Sequence, residues 1–290
     1  MPSRGRFPSS QLIELSDWHG LIDCGEGTQI QLTKFKIKRN RISHIFISHL
    51  HGDHVFGLPG LLGSFNHFNR TGPLTIYGPT GIRKLIDTIR EVSGTHYNYP
   101  IQLIELDHTE RGTIKLSNEI TITHFPLKHR IPTIGYRFDY HQEKVNVDKA
   151  VIERHKLSVD EIKQIKEKKD IENVDGSILL WTEAAKETII KKSYAYCSDT
   201  IYDPELVPYI QGVDYLYHET TYLDDMEKEA SDRKHATLGQ ALKIAESANA
   251  KSLITGHYSS RYANLQGFYK YAESSTYNII IGVEGLKIDL

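Results

Sequence analysis

Six consecutive residues, His49-Leu50-His51-Gly52-Asp53-His54, constrain this chain more than any other feature. They follow the apolar run Ile45–Ser48 and precede the apolar, Gly-rich run Val55–Gly63. In an extended segment, side chains two positions apart point to the same side. His49, His51 and Asp53 therefore converge, and His54 swings in where the chain turns. Imidazole and carboxylate together suit zinc, with manganese or iron as alternatives. The bland alternative is a solvated histidine-rich loop, and four ligand-type residues in six positions weigh against it.

Four residues cannot fully ligate two metals, so more must come from elsewhere. Asp23 ends the apolar run LID, His129 follows Ile120–Phe125, and Asp199 follows SYAYCS. His218 follows DYLY, and His257 follows LITG. A lone His or Asp at a strand end is more often a structural cap than a ligand. Five of them beside this motif suggest loops gathered at one edge of a sheet, where α/β proteins put active sites. Cys24 and Cys197 are the only cysteines, which excludes a disulfide framework and a Cys-rich zinc site. The first fifteen residues hold no apolar signal segment, and no run approaches the ~20 apolar residues of a membrane span. A cytoplasmic location is the expectation.

Short β-branched and aromatic segments dominate the 290 residues. Leu12–Leu15 and Leu21–Cys24 flank the polar stretch Ser16–Gly20 and predict a hairpin. Ile45–Ser48, Leu74–Tyr77, Ile120–Phe125, Tyr194–Cys197, Tyr215–Tyr217, Leu253–Thr255 and Asn278–Gly282 predict further strands. Gly81–Ser93 and Ala236–Ala248 carry helical periodicity, the latter with Thr237 as a cap. The stretch from Gln142 to Lys192 differs, with 11 acidic and 11 basic residues and a weak apolar pattern. It predicts an arm inserted into a single domain, with short helices at Val151–His155 and Val159–Lys168.

At this point the chain closely resembles the ribonuclease Z family of the metallo-β-lactamase superfamily. The segments that carry the resemblance are DCGEGTQ (Asp23–Gln29), HLHGDHVFGLPGLLG (His49–Gly63), PLKHRIPTIGYR (Pro126–Arg137), YCSDT (Tyr196–Thr200), HETT (His218–Thr221) and TGHYSSRY (Thr255–Tyr262). The resemblance implies an α/β (α+β) fold: an αββα sandwich of two mixed sheets flanked by helices, with an inserted arm. It implies two zinc ions per subunit. His49, His51 and His129 would hold one, Asp53, His54 and His257 the other, and Asp199 would bridge both. Asp23 and His218 would support the ligands. Asp53 would also accept the nucleophile's proton, and Glu219 would orient His235 as proton donor. The implied activity is endonucleolytic removal of the 3′ trailer from precursor tRNA, leaving a 3′-hydroxyl and a 5′-phosphate. A homodimer with no membrane association is implied, and residues 142–192 would be the arm that grips tRNA.

Three features depart from the family pattern. The expected first strand is missing ahead of Pro2-Ser3-Arg4-Gly5-Arg6-Phe7, which matches the family's Pro-x-Lys-x-Arg-Asn loop only loosely. The arm lacks a Gly-Pro pair near its tip. His235 stands in HAT rather than His-Ser-Thr.

Net charge is −2, yet no acidic residue occurs from Gly27 to Gly52, where Lys34, Lys36, Lys38, Arg39 and Arg41 lead into the metal motif. This predicts a phosphate-tracking strip, with Arg4, Arg6, Lys128 and Arg130 adding to it and Arg261 beside His257. A solvated loop is the competing reading. Seven acids cluster between Asp214 and Asp232. Rival functions are another hydrolase on the same scaffold, acting on a small phosphodiester, a lactone or a thioester, and a non-catalytic RNA-binding module. Seven of the 15 histidines are drawn into these assignments, and the rest need none.

Overall fold

The structure, a computed structural model, describes residues 5–15, 17–172 and 176–289. Its strands are β1 (Gln11–Leu15), β2 (Trp18–Ile22), β3 (Ile42–Phe46), β4 (Leu74–Pro79), β5 (Ile101–Leu106), β6 (Gly112–Lys115), β7 (Ile120–Leu127), β8 (Thr133–Val147), β9 (Ile171–Glu172), β10 (Ile178–Leu179), β11 (Ala185–Cys197), β12 (Tyr215–Glu219), β13 (Ser252–Gly256) and β14 (Ile279–Ile281). One sheet has the order β1-β2-β3-β4-β5, and the other β14-β13-β12-β11-β8-β7-β6. β2 to β5 run parallel, as do β11 to β14.

β1 and β2 form the expected hairpin, but β2 begins at Trp18, so three residues expected in the turn pair in the sheet instead. Packing explains the shift. The Trp18 ring lies 6.4 Å from Phe46 and 6.5 Å from Phe138, and its Nε1 donates to His44 Nδ1 at 2.9 Å. Ser16 and Arg4 lie outside the described residues.

By packing, the chain divides into two compact units, residues 1–114, 122–138 and 193–290 in one, and residues 115–121 and 139–192 in the other. In the first, an aromatic layer joins the sheets. Phe46 stacks on Tyr77 at 5.1 Å and meets Tyr136 and Phe138 edge-on at 5.5 and 5.2 Å. Each such pair contributes about 0.5–1.5 kcal/mol beyond the area it buries. Outside the first sheet, Leu58, Leu61, Leu62 and Phe65 of the helix Leu58–His67 and Ile82 and Ile86 of the helix Ile82–Ser93 close one aliphatic core. Outside the second, Ala241, Ile244 and Ala245 of the helix Leu238–Ser247 close another with Leu216 and Leu253. These layers are the αββα sandwich. Thr237 caps that last helix in a reciprocal box with Gln240.

The other unit has a small core of its own, Leu157, Ile165, Ile171, Leu179 and Ala184. Its helices are Lys149–His155, capped by Asp148, and Val159–Lys166, capped by a Ser158/Glu161 box. The second stops short of the expected Lys168, which takes a left-handed φ of 61°.

Candidate metal centre

The centre forms where parallel strands end. Cys197 of β11, His218 of β12 and Thr255 of β13 lie side by side, so Asp199, Glu219 and His257 emerge at one edge. In the first sheet Ile22 pairs with Phe46, which brings Asp23 and Ser48 to the same level. Among the described residues, nine non-glycine residues have positive φ. Six of them, including Lys36, Asn69 and Lys234, sit at or just past helix C-termini, where that conformation is ordinary. The other three are Asp23 (φ 55°), Asp199 (57°) and His257 (59°), each just past a strand. Such backbone costs about 1–3 kcal/mol per residue and clusters at functional sites.

Two sets of donor atoms result. His49 Nε2 and His129 Nε2 lie 3.1 and 3.3 Å from His51 Nδ1. The same two nitrogens lie 3.7 and 3.6 Å from Asp199 Oδ2. In the second set His257 Nε2 is 3.5 Å from Asp53 Oδ2, and His54 Nε2 is 3.9 Å from it. Asp199 Oδ1 stands 3.3 Å from His54 and 3.2 Å from His257. The Asp199 carboxylate thus turns one oxygen to each set. A tetrahedron with metal–donor distances of ~2.0–2.1 Å sets its donors about 3.3 Å apart, so these separations fit a metal in each set.

The opposite ring nitrogens fix the tautomers. His54 Nδ1 donates to Asp23 Oδ2 at 2.7 Å, His129 Nδ1 to the Lys234 carbonyl at 2.9 Å, His257 Nδ1 to Thr221 Oγ1 at 2.9 Å, and His49 Nδ1 to Ser48 Oγ at 3.0 Å. Each of the four is left with its Nε2 turned to the centre. Asp23 is fully buried and also accepts from Ser48 N, Ser48 Oγ and the Tyr196 hydroxyl. Glu219, equally buried, accepts from His235 Nδ1 at 2.7 Å, from Thr200 N, and from the backbone and hydroxyl of Thr221. The His235 ring lies 5.2 Å from that of His129 and 5.3 Å from that of His257, over both sets.

Charges in the cluster oppose one another. Burial pushes His49 well below the usual histidine range, and His54 pushes it the same way. Burial also disfavours charge on His54, but Asp199 and Asp23 outweigh it and raise that imidazole well above its ordinary value. Burial is likewise outweighed at His257, where Asp199 and Asp53 push the pKa up to about 9. Burial alone would raise Asp53 and Asp199; their histidine neighbours, His257 and His54 foremost, hold both far below the carboxylate range. A divalent cation binding here displaces the protons on His54 and His257.

His218 takes no part in the centre. It lies inside β12, where successive side chains alternate faces, so it points away from Glu219. Its Nδ1 donates to the Glu219 carbonyl, and its buried Nε2 has no partner among the described residues. Among the cations, Lys128 is held by Asp203 and Glu205, and Arg6 by the carbonyls of Ser259 and Tyr262, so neither is free to track phosphate. Lys34, Lys36, Lys38, Arg41, Arg130 and Arg261 are exposed, and Arg39 packs over the Phe68 ring at 4.6 Å. None of them is among the ligand groups. Sequence reasoning missed Ser48, Thr221, Tyr196 and the Lys234 carbonyl. Thr221 and Tyr196 carried a signal, their places in HETT and YCSDT.

The family model for Anti-Pycsar protein Apyc1 matches residues 3–129. Ribonuclease Z of Porphyromonas gingivalis strain W83 is 38% identical over all 290 residues and 95% of its own length. Ribonuclease Z of Cytophaga hutchinsonii is 38% identical over 98% of this chain and 91% of its own. The crystal structure of human tRNase Z, short form, superposes with a TM-score of 0.69 at 25% identity, covering 100% of this chain and 94% of that one. The metallo-β-lactamase fold protein YhfI from Bacillus subtilis, 17% identical with a TM-score of 0.66, covers 99% and 93% and shares the fold.

Proposed function

The chain belongs to the ribonuclease Z family, metal-dependent endoribonucleases of the metallo-β-lactamase fold, and from that premise we propose that it removes the 3′ trailer from precursor tRNA with two zinc ions. The observation that carries the reading is Asp199, whose two oxygens face two separate donor sets. His49, His51 and His129 would hold one ion, Asp53, His54 and His257 the other, and Asp199 would serve both. When bound, the ions lower the pKa of the attacking water and offset charge building on the phosphorane oxygens. Asp53 accepts the proton that the water gives up as it attacks phosphorus. Glu219 fixes the His235 ring through Nδ1, and His235 Nε2 protonates the leaving 3′-oxygen. The phosphorus–oxygen bond breaks to leave a 3′-hydroxyl on the tRNA and a 5′-phosphate on the trailer.

Lys34, Lys36, Lys38, Arg39, Arg41 and Arg261 track phosphates, and the arm at 142–192 grips the tRNA body. The enzyme acts as a cytoplasmic homodimer. No helix among the described residues is long and apolar enough to cross a membrane.

Incubation with a precursor tRNA, with and without chelator, and mapping of the new ends tests this. Cleavage at the trailer junction is expected, abolished by chelator, by Asp53→Ala and by His257→Ala. Retained cleavage in either variant sinks the ligand assignment. Deleting residues 142–192 should spare a small phosphodiester substrate and abolish tRNA cleavage; equal loss of both overturns the arm's role.

A further inference from the structure

Residues 6–9 run between the two loops that supply the second donor set, and the proposed chemistry does not use them. At one end Arg6 Nη2 donates to the carbonyls of Ser259 and Tyr262 at 3.2 and 3.0 Å. Those carbonyls belong to the loop that starts at His257, in its left-handed backbone. The loop turns on itself through Tyr262 N to the Ser259 carbonyl and is tied to Thr221 through Ser259 N. Thr221 in turn accepts from His257 Nδ1. At the other end Ser9 N donates to the Asp53 carbonyl at 3.1 Å, and Gly25 N donates to the Ser9 carbonyl at 3.0 Å. Ser9 Oγ lies 3.5 Å from His54 Nε2. Between them Pro8 packs so closely that a Cβ on Gly25 would fall 2.4 Å from its own Cβ and 2.3 Å from the Asp53 carbonyl oxygen. The segment is anchored midway, where Phe7 N donates to Glu284 Oε1 at 2.9 Å.

The segment therefore touches Asp53 and His54 directly and His257 through the loop that follows it. Among the described residues no hydrogen bond joins it to His49, His51 or His129. The partners of that first set are Ser48 and the Lys234 carbonyl.

We propose that Arg6–Ser9 is a strap that positions the ligands of the second metal and not those of the first, with Arg6 as its positioning residue. Left-handed backbone at a non-glycine residue persists only where its surroundings over-determine it. Arg6 supplies one such constraint on the His257 loop by gripping two of its carbonyls from one guanidinium nitrogen. Lysine keeps the charge but lacks the planar, rigid fork that aims it. The inference rests on the two-metal reading, and the experiment separates the two.

Zinc or cobalt(II) is titrated into the metal-free full-length protein by calorimetry, with the cobalt ligand-field spectrum followed in parallel. Wild type is expected to bind two ions. Arg6→Ala should bind the first with unchanged affinity and the second about 10–100-fold more weakly, the range seen when groups supporting a ligand are lost. Arg6→Lys should fall between. Retention of the first ion shows that Arg6→Ala is folded. In turnover, kcat should fall with KM little changed. Two ions bound at wild-type affinity by Arg6→Ala overturn the strap and leave the two-metal reading standing. Equal weakening of both ions, or loss of both, overturns its selectivity. Fewer than two ions in the wild type overturns both readings.

Discussion

Asp23 and Glu219 are built alike. Each is fully buried, each accepts from four donors, and each holds a histidine Nδ1 at 2.7 Å. The histidines differ. His54 is completely buried, and its Nε2 lies 3.3 Å from Asp199, 3.9 Å from Asp53 and 3.5 Å from Ser9. The His235 side chain is 15% exposed, and among the described residues its Nε2 has no hydrogen bond. In the proposed mechanism one carboxylate–histidine pair would fix a nitrogen on a metal site, while the other would leave a nitrogen open to a substrate atom. The hydrogen bond is the same in both; what differs is the setting of the far nitrogen, which in His54 lies against the Asp199 and Asp53 carboxylates.

The largest expected effect breaks that comparison at the histidines. His54→Ala should lose the second ion and more than about 10⁴-fold in kcat, because it removes a donor from the centre itself. His235→Ala should keep both ions and lose about 10²–10⁴-fold, the usual contribution of a general acid. Its pH–rate profile should also lose the limb that reports deprotonation of the acid. Metal analysis beside kinetics decides, and loss of metal in His235→Ala would make the two pairs equivalent.

A smaller effect sharpens the same contrast at the carboxylates. Asp23→Asn and Glu219→Gln keep the shape but replace one accepting oxygen with a donor. Asp23→Asn should weaken metal binding about 10–100-fold. Glu219→Gln should leave metal binding intact and lower kcat alone. Calorimetric titration of both variants checks this, and a shared loss of affinity contradicts it.

HLHGDH was legible because its donors are consecutive and local geometry brings them together. Asp199 and His257 were legible as polar residues ending apolar strands. His218 looked the same but was misread, since β12 runs two residues past Tyr217 and alternation turns that ring away. The left-handed backbone at Asp23, Asp199 and His257 left no trace, because these residue types are ordinary after a strand. Tyr196 stood in the segment YCSDT, but its role did not show. Its bond to Asp23 spans 173 positions and links two sheets whose pairing no local pattern records. In residues 142–192 the described helices are seven, eight and four residues long, so two were legible with shifted ends and the four-residue one, Trp181–Ala184, was too short for periodicity to show.

The smallest expected effect extends the contrast between a histidine at the centre and one away from it. Burial and Arg70 push His44 down to about 4, and its Nδ1 accepts from Trp18, so it folds neutral. The unfolded chain binds that proton near pH 6.5, so stability falls as pH drops from about 6.5 toward about 4. His257 has the opposite sign. At about 9 it keeps its proton in the metal-free fold while the unfolded chain loses it, so stability falls as pH rises from about 6.5 through 9. The metal-free protein should therefore be most stable near pH 6.5. His44 and His257 each contribute on the order of 3 kcal/mol, less for half-buried His44, which solvent screens, and His54, raised in the same direction as His257, adds to the alkaline limb. Bound metal replaces the His257 proton, so loading should erase the alkaline limb and leave the His44 limb in place. Urea midpoints of chelated and loaded protein at about pH 5, 6.5 and 8.5 test this. An alkaline limb unchanged by metal would mean that His257 is not a ligand.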